Sequence, residues 1–99
     1  MTSALGWLAD RIAGAPPRLA DRARSFLAGV PAEGAQADRL AAAAVLALGG
    51  LPADDRSRAA ALDLLSADSL ITLALLAQAE ESPAELARFA ERIVSAASA

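Results

Sequence analysis

Cysteine, histidine, lysine, tyrosine and asparagine do not occur in this 99-residue chain. Each absence removes a class of chemistry. Without cysteine there is no disulfide, no thiolate nucleophile and no thiolate metal site, so packing alone must hold the fold. Without histidine the usual general base near neutral pH is missing, together with the commonest metal ligand. Without lysine there is no Schiff base and no phosphate-loop lysine. All nine cations are arginine, which beside the alanine content reads as the composition of a GC-rich bacterial genome. Aromatics are down to Trp7, Phe26 and Phe89, and β-branched residues are few, so strands have little to draw on.

What the chain does have is alanine and leucine. They number 29 and 16, and they are among the strongest helix formers. Hydrophobic residues reach 56%, above the roughly 45–50% of an average globular chain. The composition and length predict one all-α domain over residues 1–99, a compact bundle of five to six short helices with frayed ends at 1–3 and 95–99.

Glycine and proline set the expected boundaries. The pattern predicts helices over about 4–13, 17–28, 35–48, 54–65, 69–80 and 83–97. Gly14-Ala15-Pro16-Pro17 stops the first, and a proline at the first helical position suits the second. Gly29 and Pro31 close that second helix, whose apolar face is Leu19, Ala23, Phe26, Leu27 and Val30. Ala41 to Ala44 leave the third helix apolar around most of its girth, the mark of a central element; Leu40, Ala41, Ala44, Val45 and Leu48 are its core candidates. Asp54 and Asp55 suit the start of the fourth helix, with Arg58 one turn on, with Leu62 and Leu65 toward the core and Leu64 beside them. Ser66-Ala67-Asp68-Ser69 predicts a break, since Ser and Asp favour caps over helix interiors. The fifth helix is the most hydrophobic segment. Ser82-Pro83-Ala84-Glu85 has the form of a capping box before a last helix with Leu86, Phe89, Ala90, Ile93 and Val94 on one stripe. The Leu-Ala-Asp-Arg motif at Leu8 and again at Leu19 recurs after only eleven residues across two prolines, too short for a helical repeat.

No motif carries catalysis. The carboxylate pairs Asp54/Asp55, Glu80/Glu81 and Glu81/Glu85 lie at helix ends, where solvated acids are expected. No serine sits in a nucleophile elbow, and no glycine-rich phosphate loop follows a strand. The chain is therefore expected to be no enzyme and to need neither cofactor nor metal. Its net charge is −3, divided as +2 over residues 1–30 and −5 over residues 31–99; an acidic, lysine-free chain is not expected to bind nucleic acid. The longest weakly polar stretch, Leu40 to Leu51, is short of the roughly 20 residues of a membrane span, and the N-terminus has no basic region of a secretory signal. These readings favour no transmembrane segment and a cytoplasmic protein.

The remaining expectation is interaction. Trp7 stands at the edge of an apolar face formed by Leu5, Leu8 and Ile12, beside Arg11, and tryptophan is enriched at interface hot spots. A helix that short must dock on something. Leu5, Trp7, Leu8, Arg11 and Ile12 are thus the candidate interface of a small helical protein–protein interaction module that associates with itself as a homodimer or with another protein. The alternative is a bundle that carries an apolar ligand or contacts lipid.

Overall fold

Proline at positions 16 and 17 determines where the first of the described helices begins. The structure is a computed structural model that describes residue 11, residues 13–51 and residues 54–98. Pro16 is extended (φ −54°, ψ 138°) and Pro17 opens helix α1, Pro17–Ala28. A residue before proline is pushed out of the helical region, and the missing N–H of Pro17 would have had no helical partner anyway. At the other end Gly29 is in ordinary right-handed geometry. It is small for a different reason: a Cβ there would stand 3.2 Å from Leu46 Cδ2 and 3.3 Å from Phe26 O. The turn to the next helix uses Gly34 at φ 103°, a conformation that glycine adopts without strain.

Helix α2, Gln36–Gly49, has no side-chain cap, but Arg39 Nε donates to Pro31 O at 2.8 Å and fastens the preceding loop. It buries Ala37, Leu40, Ala43, Ala44 and Ala47. Val45 and Leu48, expected in the core, are half-buried. Helix α3, Arg58–Glu81, follows. Ser57 caps it, its Oγ accepting from Ala60 N at 3.1 Å, while Asp55 Oδ1 accepts from Ser57 N at 2.8 Å. The helix thus starts four residues later than Asp54, which stays in a turn ahead of it, and the expected helical pairing of Asp54 with Arg58 is not formed.

The expected break at 66–69 is absent: α3 is one helix of 24 residues. The polar residues there turn inward on their own helix. Ser66 Oγ donates to Leu62 O at 2.8 Å and Thr72 Oγ1 to Asp68 O at 3.0 Å. Bonding to the carbonyl four residues earlier satisfies these hydroxyls within a continuous helix. Among the described residues there are therefore four α-helices rather than the five to six expected over the whole chain; the first expected helix, 4–13, falls almost wholly outside them. A 3₁₀ turn, Pro83–Glu85, leads into α4, Leu86–Ala97.

The capping box also takes another form. Ser82 is extended (φ −155°) and its side chain caps nothing. Its carbonyl accepts both from Glu85 N at 3.1 Å and from Gln78 Nε2 at 3.1 Å. Glu85 then sits at the cap position of α4 rather than within its first turn. Residues 95–97, expected to fray, are the last turn of that helix.

α2 and α3 form the largest helix–helix contact, and α1 and α4 each lie against both. The Cα radius of gyration, 12.9 Å, equals the about 13 Å typical of a folded 100-residue domain. Ten of the sixteen buried apolar residues among those described are alanines; the larger ones are Leu27, Leu40, Leu70, Leu73, Phe89 and Ile93. Small side chains let the helices approach closely, and they leave most of the leucines elsewhere.

Candidate interaction surface

The inward stripe of α3 determines what faces out. Leu70, Leu73, Ala74 and Ala77 are buried, and continuing the same helical phase backward brings Ser66, Ala67 and Ala60 inward. Leu64 and Leu65 consequently point away from the core, 55% and 54% exposed, and Leu76 is 41% exposed near the other end. Leu65 was expected in the core. That expectation assumed a break, after which the two halves would have had independent phases; one continuous helix gives them a single phase. The outer face of α3 runs through Ala61, Leu64, Leu65, Asp68, Thr72, Leu75, Leu76 and Ala79, with Leu75 half-buried at its margin. Asp68 is the one charged side chain along it.

Continuity also gives α3 a length that the divided reading lacked. Its most apolar 18-residue window has a mean hydropathy of 1.7, and 33% of that window is buried. By length and composition such a helix meets the requirement for crossing a bilayer, and so does the central helix of a bundle. Here its buried stripe packs on α1, α2 and α4. Other large apolar side chains stand out singly: Leu46 on α2 is 48% exposed and Val94 on α4 is 65% exposed, although Val94 was expected on the inward stripe with Phe89 and Ile93.

A second apolar feature lies between α2 and α4. Ala41, Ala42 and Val45 face Phe89, Ile93 and Ala96 across an open groove of about 350 Å³. Arg92 and Asp38 stand at its rim with their charged atoms 4.0 Å apart. Arg92 Cζ lies 5.6 Å from the centre of the Phe89 ring.

Of the sequence-derived interface, Leu5, Trp7, Leu8 and Ile12 lie outside the described residues. Arg11 is described: its Nη2 donates to Glu80 Oε1 at 2.9 Å, both side chains being partly exposed. This ties the start of the described chain to the end of α3. Sequence reasoning missed the pair that locks α1 to α3. Arg22 Nε donates to Asp63 Oδ1 at 2.6 Å and Nη2 to Oδ2 at 3.2 Å, in the two-pronged geometry guanidinium favours. Arg22 Cζ also lies 4.4 Å from the Phe26 ring centre. The hydrogen bond to Asp63 raises the Arg22 pKa further above its usual value. Only the tertiary approach of two residues far apart in sequence reveals its partner.

One acid of each pair seen in the sequence is engaged by another group. Asp55 accepts from Ser57 N, which lowers its pKa. Glu80 holds Arg11, and Glu85 lies 3.9 Å from Arg88. Among the described residues no three carboxylates gather into a metal site. Comparison with protein-family models, with curated proteins and with solved structures finds no match to this chain.

Proposed function

We propose that this chain is a non-catalytic helical interaction module that associates with a second copy of itself. The observation that carries the reading is the allocation of side chains. Alanine fills most of the described core, while Leu64, Leu65 and Leu76 lie exposed on the longest helix. Single exposed leucines are ordinary, but a row of them along one helix face is the pattern of a surface that is covered by a partner. The opposite charges of the first thirty residues and the remainder suit contact between chains, with their main effect on association rate and specificity.

Size-exclusion chromatography with light scattering, over a wide concentration range, tests the reading directly. The expected result is a mass twice that of the chain, falling toward the monomer on dilution. Trp7 is the only tryptophan, so its emission in the same samples reports whether residues 1–10 take part. A monomer at every concentration would remove self-association.

A second reading, carriage of an apolar ligand, is favoured by the groove between α2 and α4, whose walls are alanine, valine, isoleucine and phenylalanine. Saturable binding of a long-chain fatty acid, abolished by Ala42→Glu with the mass unchanged, would support it over the first.

A further inference from the structure

We infer that the surface joining two copies is the outer face of α3, paired antiparallel with itself about a two-fold axis beside the stretch between Asp68 and Thr72. This inference rests on the proposed self-association and names the contact. A two-fold contact needs one patch that is complementary to itself. The residues of this face recur at helical spacing, and their order reads almost the same from either end. Inverting the helix about its middle sets Leu64 against Leu76 of the partner subunit and Leu65 against Leu75 of the partner subunit. Ala61 meets Ala79 of the partner subunit at each end, where small residues allow close approach. At the centre Asp68 faces Thr72 of the partner subunit, so the one carboxylate of the face is opposed by a neutral side chain.

The charge on this face also distinguishes the two orientations. Antiparallel pairing sets the exposed Asp68 against the neutral Thr72 of the partner subunit. Parallel pairing would instead set Arg58 against Arg58 and Asp68 against Asp68, with like charges adjacent.

The chain has no cysteine, so crosslinking can read the register without background. Leu64 and Leu76 are twelve residues apart, about 18 Å along a helix. The double variant Leu64→Cys/Leu76→Cys is expected to form a covalent dimer on mild oxidation, whereas either single variant alone is not. Efficient crosslinking of the single variants would indicate parallel pairing and overturn the arrangement. Leu65→Glu places two carboxylates in the contact and is expected to raise the dissociation constant by about 100-fold or more, with helical circular dichroism unchanged. A Leu65→Glu chain that still dimerises as tightly as the parent would overturn this surface while leaving self-association standing. A parent that is monomeric throughout would end both, and a monomer that loses stability on Leu65→Glu would point instead to cover by another part of the same chain.

Discussion

Replacing Asp68 with alanine distinguishes a continuous α3 from a helix divided at 66–69, because the two arrangements predict opposite signs. In the continuous helix Asp68 is exposed at an interior position, where it caps nothing. Its carbonyl, not its carboxylate, accepts the Thr72 hydroxyl, and alanine retains that acceptor. Aspartate is close to 0.7 kcal/mol worse than alanine in a helix interior, so Asp68→Ala should stabilise by about half a kcal/mol. Adding Ser69→Ala brings the total to about 1 kcal/mol, or a rise in Tm of about 5 °C for a domain of this size. Were a second helix to begin at 69, Asp68 would be its cap, and its loss would cost about 1 kcal/mol and lower Tm by a similar amount. Thermal unfolding followed by circular dichroism at 222 nm is the assay. Asp68 also lies on the outer face, so the series belongs in a Leu65→Glu background, where association does not contribute. A lower Tm for Asp68→Ala in that background would refute the single helix, and with it the phase argument that places Leu64 and Leu65 outside.

Three further outcomes follow from the packing and the caps. Ala44→Leu adds three carbons to a position with no exposure and should cost about 1–3 kcal/mol or more by overpacking, seen as a lower urea midpoint, while the exposed Ala42→Leu leaves it nearly unchanged. Ser57→Ala removes the oxygen that accepts from Ala60 N and should cost about 1 kcal/mol, whereas Asp54→Ala, ahead of the helix, should cost much less; equal effects would place the start of α3 wrongly. Asp55 has its pKa lowered by the hydrogen bond from Ser57 N, so its contribution is fully present above the unfolded carboxylate pKa and lost as pH falls through the folded one; an NMR titration of its side chain should give a midpoint below the ordinary aspartate value, and a midpoint at or above that value would mean that the turn does not form in solution.

Much of the helical skeleton was readable because proline and glycine act locally. Pro17 and Ala28 bound α1 as expected, and the limits of α2 differ by one residue at each end. What could not be read depended on partners remote in sequence. Ser66 is polar in composition but entirely buried, with its hydroxyl bonded back to Leu62 O, so a local rule about serine gave the wrong boundary. That error propagated, since the helical phase decides which leucines are covered. The capping box failed for a related reason: Gln78, four residues earlier, bonds the Ser82 carbonyl and holds that residue extended. Of the candidate interface only Arg11 is described, and its contact with Glu80 is a tertiary pairing that no spacing in the sequence announces.

The allocation of alanine and leucine also bears on how stability should respond to concentration. A core in which alanine predominates buries little area per residue, and hydrophobic stabilisation scales with area. Covering the outer leucines of α3 would add to a modest total, and a surface buried in the dimer but not in the unfolded chain links folding to association. For a two-chain unit of this length the entropy of unfolding is about 0.4 kcal/mol per kelvin, and a tenfold change in concentration is worth about 1.4 kcal/mol. If folding and pairing are one transition, each tenfold increase in protein should therefore raise Tm by about 3 °C. In the Leu65→Glu variant the slope should vanish and Tm should settle at the value for the isolated chain. A parent Tm that stays constant over a hundredfold range, in samples that scatter as dimers throughout, would show that the four helices hold together without help from the second copy. The contact along α3 would then serve recognition and contribute nothing to folding.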